Sequence, residues 1–162
     1  MSNVNKLTFV PVREAFKHEA HHFTVWLEDN IDALNERLNL DLTVIEREKS
    51  VGSFNVDLLC EDSFGNRVIV ENQLEKTDHD HLGKLVTYLI NLDATVAIWI
   101  ATEIRPEHQR VIDWFNEMSS ADYSFYVVQV EAILLDNSAY APLFTVLSRP
   151  DEQTKVIGGE RF

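Results

Sequence analysis

The chain has 162 residues, 45% of them hydrophobic and 25% charged, which fits one globular domain with a real core. Its single cysteine, Cys60, excludes an internal disulfide framework; no apolar run reaches the roughly 20 residues of a membrane helix, and the N-terminus lacks a basic-then-apolar signal pattern, so a cytoplasmic protein without a membrane partner is expected. A formal net charge of −13, from 27 acids against 14 Lys and Arg, argues against a strong autonomous nucleic-acid binder, because any basic face must be local or come from a partner subunit.

Residues 1–12 read as a short lead-in. From Val12 to about Leu40, Phe16, Phe23, Trp26, Leu27, Ile31, Leu34 and Leu38 recur at helical spacing, which fits one long helix or two joined near Thr24. Leu42, Val44 and Ile45 turn to strand spacing. "SVGSFNVDLLC" is a second strand, with Phe54, Val56 and Leu58 on one face and Asn55 and Asp57 on the other. A turn at Gly65-Asn66 leads into a third strand, "RVIVENQ", so a three-stranded antiparallel meander is expected. "TDHDHLGKLVTYLINLD" is a helix with Thr77 or Asp78 as N-cap. "ATVAIWIA" is a strand buried on both faces. "RPEHQRVIDWFNEM" is a helix with Pro106 in its first turn and Val111, Ile112, Trp114 and Phe115 on its apolar side. "YSFYVVQVEAILL" is a further strand, and "PLFTVLSRP" a short terminal hairpin. Trp26, Trp99 and Trp114 read as core residues, and the buried Cys60 as a structural thiol. The element order predicts an α/β domain with a mixed central sheet flanked by helices, over residues 1–150, followed by a tail at 151–162.

The chemistry concentrates in "VENQLEKTDHDHLGKLVTYL", where a buried strand ends on Glu71, Asn72 and Gln73 and runs into a charged helix entrance. Glu71 and Gln73 are two apart and point to the same side; the tight turn brings Asp57 back beside Glu71. Two carboxylates at the end of a sheet suit Mg2+ or Mn2+, which could hold a phosphate oxygen, lower the pKa of a bound water and offset charge on a leaving oxygen. His81, Lys84 and Tyr88 follow three- and four-residue spacing and share one helix face.

Asp57, the turn and "VIVENQ" resemble the PD-(D/E)xK, or restriction-endonuclease-like, nuclease superfamily in its ExQ variant. Its αβββαβ core matches the element order. The longer strings "VENQLEKTDHDHLGKLVTYLINLDA", "VAIWIATEIRPEHQRVIDWFNE" and "EAHHFTVWLEDNIDALNERLNLDL" are similar to a narrower bacterial group of unknown function, over roughly residues 14–150. The resemblance implies metal-dependent hydrolysis of nucleic acid, with DNA the expected partner and a homodimer or a partner subunit the expected assembly. It implies Asp57 and Glu71 as metal ligands, with Glu19 (or, less favoured, Glu28) supporting them from the first helix. Gln73 takes the position usually held by a lysine, where it can orient a water without supplying charge. His79, His81, Lys84 and Tyr88 are then candidates for phosphate contact or proton transfer.

Plainer readings stand beside these. Asp57 and Glu71 could be solvated strand-end acids, although Asp57 interrupts an apolar strand and a buried acid needs a partner. Gln73 could be a surface amide, the histidines a polar helix entrance, and Asp78 and Asp80 companions of the helix dipole. "IEREK" at 45–49 reads as a solvated strand end. His18-Glu19-Ala20-His21-His22 literally satisfies HExxH, so a zinc hydrolase is a third reading, after a non-catalytic binding or assembly module.

Overall fold

A computed structural model describes residues 3–17, 19–136 and 139–151, without the side chain of Glu19. The chain runs β1 (Thr8–Val10), α1 (Val12–Ala15), α2 (Glu19–Asp29), α3 (Ile31–Leu38), β2 (Thr43–Val51), β3 (Phe54–Glu61), β4 (Arg67–Lys76), α4 (His79–Asn91), β5 (Val96–Glu103), α5 (Pro106–Met118), β6 (Ser124–Leu134) and β7 (Tyr140–Ser148). No described helix is long and apolar enough to cross a membrane.

The meander forms as its turns dictate. Gly52, at φ +62°, makes the β2–β3 turn, a conformation L side chains resist. At the next turn the Asp62 carboxylate accepts from the N–H groups of Phe64 and Asn66, each at 2.9 Å, and Gly65 sits at φ +85°. β2, β3 and β4 pair antiparallel, whereas β4–β5 and β5–β6 pair parallel, each parallel step crossing over through a helix. The sheet is therefore mixed, in the order β1-β6-β5-β4-β3-β2, with β7 also on β6.

Two apolar clusters cover its faces. One joins Phe23, Leu27 and Leu34 of α2 and α3 to Val68, Val70 and Ile98. The other joins Leu85 and Leu89 of α4 and Ile112 of α5 to Ile69, Trp99 and Val127. β5 is buried on both faces, as its continuous apolar run requires. The helix–sheet–helix architecture expected from the sequence is present.

Several local expectations need correction. The lead-in contains β1, which pairs antiparallel with Ala132 to Leu134 of β6. The helical stretch after Val12 is three helices, not one or two, and the α2–α3 break falls at Asn30, not Thr24. Asn30 closes α2 through its side-chain amide on Trp26 O at 2.9 Å and opens α3 by accepting from Ala33 N at 3.0 Å. The terminal segment is β7, paired along β6 rather than folded into its own hairpin. Val56 and Leu58 pack into opposite clusters, so the alternation expected of β3 breaks at Asp57. Trp114 is 55% exposed and not core, because Ile112 and Asn116 are the α5 positions turned inward beside it.

One buried polar contact holds the start of β6. The β7 ladder begins only at Val127–Ser148, leaving Phe125 unpaired on that side. The Asn116 amide fills the gap, accepting from Phe125 N at 2.9 Å and donating to Phe125 O at 2.8 Å. Asn116→Ala strands both groups and should cost on the order of 3 kcal/mol. Thermal unfolding followed by circular dichroism should show a melting point lower by roughly 10 °C; an unchanged melting point would contradict this role.

Candidate functional site

The site grows out of the place where two strands part. The β3–β4 ladder ends at Leu58–Val70. Just beyond, the backbone groups are met by carboxylates instead of by each other. Asp57 N–H donates to Glu71 Oε1 at 3.3 Å, and Asn72 N–H donates to Asp57 Oδ2 at 2.7 Å. Alternation along β4 then separates two roles. Asn72 turns to α2 and donates to Thr24 Oγ1 at 2.9 Å. Glu71 and Gln73, both buried, turn towards α4.

Asp57 and Glu71 are thus neighbours, as their spacing predicted. Burial is the main cause that raises both carboxyl groups. Glu71 is pushed up to about 9, with the charge of Asp57 adding to the effect of burial. Burial and mutual repulsion favour a proton on the pair, because two adjacent buried carboxylates resist ionising together. A hard divalent cation suits such a pair, since its charge can replace that proton. Among the described residues, no group of three or more His, Cys, Asp or Glu is arranged to hold a metal. The expectation for Glu19 lies outside the described side chains, as does His18 of the HExxH string. Glu28 is engaged elsewhere, accepting from Arg47 Nε at 3.0 Å, so "IEREK" is not merely a solvated strand end. His21 pairs with Glu48 at 3.4 Å.

Gln73 is fully committed through its nitrogen. Nε2 donates to Lys76 O at 2.8 Å and to Asp78 Oδ2 at 2.9 Å, while Oε1 accepts from Trp99 Nε1 at 3.1 Å. The plain surface-amide reading is excluded by its 2% exposure. Asp78 is the N-cap of α4, accepting from His81 N at 2.8 Å, and its Oδ1 also lies 2.8 Å from His81 Nδ1. Burial opposes the charge on Asp78, but the His81 hydrogen bonds and charge and the Gln73 amide outweigh it and lower its pKa. His81 in turn helps to ionise Asp57.

The first turns of α4 form one wall of an open cleft of about 280 Å³, lined by Phe54, His79, Asp80, Lys84 and Tyr88 among others. Lys84 bonds Asp80 Oδ2 at 3.1 Å, which raises its pKa, and Glu71 adds to the shift. Tyr88 is raised by burial first and then by Glu71. His79 Nδ1 lies 2.7 Å from Nε2 of the buried His108, whose Nδ1 lies 2.8 Å from Thr77 Oγ1. Burial, with His79 beside it, pushes His108 down.

Several contacts of the site escaped the sequence reading. Thr77 and His108 are 31 positions apart, and Gln73 and Trp99 are 26 apart, so only the fold joins them. Phe54, placed with Val56 and Leu58 on one strand face, is 57% exposed at the cleft. Asp78 carried a legible capping signal; its second role on the His81 ring did not.

Comparison with known proteins agrees with the fold. No family model matches the chain. Two proteins called endonuclease NucS, from Frankia alni and a Parafrankia species, are 42% and 39% identical over 77 residues, covering 48% of this chain. The matched stretch is 33% of each relative, so the chain corresponds to only part of them. A repair endonuclease from Pyrococcus abyssi superposes with a TM-score of 0.50 at 20% identity, covering 57% of this chain and 41% of the other. The EndoMS protein of a dsDNA complex also gives 0.50, at 19% identity, covering 70% and 45%. The α/β fold is thus shared with nuclease structures.

Glu71 imposes a pH dependence on the metal-free protein. Its carboxyl has an ordinary value of 4.5 and is raised to about 9 in the fold, so the folded state keeps a proton that the unfolded chain releases. The stability from this group is complete below its unfolded value and is lost as pH rises through its folded one. In EDTA, the melting temperature should fall by several degrees more in the wild type than in Glu71→Gln between about pH 5 and about pH 9. Added Mn2+ should reduce that difference. Parallel pH curves for the two proteins would mean that the pair does not share a proton.

Proposed function

We propose that this chain is a divalent-metal-dependent, nuclease-like domain that hydrolyses phosphodiester bonds of DNA. The observation that carries the reading is the buried Asp57–Glu71 pair, held side by side where β3 and β4 part. The nuclease fold and the endonuclease names of the partial relatives support it.

Asp57 and Glu71 would hold Mg2+ or Mn2+, with Glu19 at the start of α2 as a third carboxylate. The His21–Glu48 pair supports bringing that end of α2 in, because the charge of Glu48 is felt at Asp57. The chemistry such an ion supplies is positive charge against phosphate and leaving oxygens. The side chains of the chain do the positioning. Lys84 exchanges Asp80 for a phosphate oxygen, and His79 and Tyr88 contact the same strand from the cleft wall. Phe54 offers an exposed ring on which a base can stack. Gln73 keeps the turn between β4 and α4 in place; of its hydrogen-bonding capacity, a second lone pair on Oε1 is left to orient a water.

The decisive measurement is cleavage of plasmid, single-stranded DNA and RNA by wild type, Glu71→Ala and Asp57→Asn, in Mg2+, Mn2+ or EDTA. Cleavage of DNA should require metal and fall by more than about 100-fold in either variant. Metal-independent cleavage, or full activity of Glu71→Ala, would remove the reading. The commitment of both Gln73 amide hydrogens favours one alternative, a binding module without catalysis; it predicts DNA binding with no cleavage in any metal.

The cleft makes a separate prediction. Lys84→Ala should weaken DNA binding in EDTA and reduce the slope of log K against log salt by about 1. Phe54→Ala should cost about 1–3 kcal/mol, chiefly on single strands. Unchanged binding of both variants would place the DNA elsewhere. The reading also includes a homodimer, since one chain offers one acid pair and a duplex has two strands. Sedimentation at dimer mass is expected, and monomer mass across a concentration series would exclude it.

A further inference from the structure

Gln73 occupies a position where the resemblance leads one to expect a cationic lysine beside the attacking water. Its own amide hydrogens are spent on Lys76 O and Asp78 Oδ2. The chain of contacts does not stop there. Asp78 holds the Gln73 amide at 2.9 Å with one oxygen and the His81 ring nitrogen Nδ1 at 2.8 Å with the other. Asp78 is ionised, its pKa being lowered by these partners against burial. A carboxylate only accepts, so the hydrogen of this contact sits on His81 Nδ1 and the lone pair of the neutral ring sits on Nε2. The His81 backbone N–H, also on Asp78 Oδ1 at 2.8 Å, fixes where the ring starts from. The ring is half-buried, so its orientation is held by packing as well as by Asp78. Gln73 lies two positions from Glu71 on the same side of β4, so the Gln73–Asp78–His81 contacts bring the ring to the acid pair's side of the sheet. The tautomer and the placement are those of a proton acceptor on the same side of the sheet as the acid pair.

We propose that His81 takes the proton of the attacking water through Nε2, with Asp78 and Gln73 as its positioning residues. The assignment rests on the nuclease reading above and names the group that takes over from the missing lysine. In the step, the water oxygen forms a bond to phosphorus and the bond from phosphorus to the leaving sugar oxygen breaks. The water proton goes to His81 Nε2, the leaving oxygen takes a proton from solvent, and His81 later returns its own to solvent. No oxidant or further reactant is needed. Asp78 stabilises the imidazolium that forms, and Gln73 stops Asp78 from turning away.

Two readouts test this in the full chain. Nitrogen NMR of the metal-free protein should find His81 protonated at Nδ1 and bare at Nε2. In Asp78→Ser, which keeps an oxygen to cap α4, that preference should disappear. Cleavage of the DNA substrate by His81→Ala should be slower by about 10²–10⁴-fold in kcat. Free imidazole should restore part of the rate in a saturable way, while DNA affinity in EDTA stays within about twofold of wild type. An Nε2–H tautomer, wild-type rates in His81→Ala, or a slow variant that imidazole does not rescue would each overturn the assignment. A loss of DNA affinity without rescue would make His81 a phosphate contact instead. In all of those cases wild type still cleaves and Glu71→Ala does not, so the nuclease reading survives. If wild type cleaves nothing in any metal, that reading falls and this assignment falls with it.

Discussion

Where β3 and β4 separate, two backbone N–H groups lose the ladder partners they would otherwise have, and a buried N–H without an acceptor is expensive. The carboxyl groups of Asp57 and Glu71 supply those acceptors, and this single exchange organises the region. It fixes both side chains at the end of the sheet, forces them together and keeps Glu71 out of water. The resulting crowding of negative charge is therefore a consequence of strand geometry. Solvent does not screen it, and only a proton or a cation can relieve it. Ligands of parallel α/β sheets gather at the carboxyl ends of strands, and β4 pairs parallel with β5 at this end.

A second set of contacts carries that geometry from the sheet to the helix. Trp99 on β5 holds Gln73, Gln73 holds Asp78, and Asp78 holds both the first turn of α4 and the His81 ring. Each member of this series is satisfied by a neighbour, which is the condition under which a buried polar network fixes one arrangement. On the other side of the turn, Thr77 accepts from Arg105 N at 2.9 Å and meets His108, tying α4 to the entrance of α5. The cleft wall is therefore supported from β5, from the turn and from α5 at once. Removing Gln73, Asp78 or Thr77 should disturb the site before it disturbs the fold, whereas Trp99 also belongs to the apolar cluster under α4 and α5.

Much of this was legible because it is local. The meander is written in Gly52, Asp62 and Gly65, the helix entrance in Asp78 and Pro106, and the central strand in an unbroken apolar run. The pairing of Asp57 with Glu71 follows from one tight turn and a period of two. What escaped depends on residues far apart in sequence. β1 has three residues and gains its identity only by lying against β6, more than 120 positions later. β7 likewise shows no strand alternation of its own, because its burial is set by β6. Asn30 breaks a helix with its side chain, which helical spacing of apolar residues does not report. Trp114 obeys the apolar period yet stands in water, because periodicity gives a face and not the width of what covers it.

Charge offered the strongest objection to a nucleic-acid partner, and the local structure changes its meaning. A net charge of −13 describes the whole surface, whereas a phosphate meets only a cleft. In that cleft Lys84 is already paired with Asp80, and Glu71 lies near enough to act on it. Without a cation, the pairing with Asp80 weakens the pull of Lys84 on phosphate. A divalent ion on the acid pair would replace the proton and cancel the pair's charge. The same acids that weaken phosphate binding in the metal-free chain would then become the means of strengthening it. Acidity at the site is thus no evidence against a phosphodiester substrate, because an ion held there would strengthen the pull on phosphate.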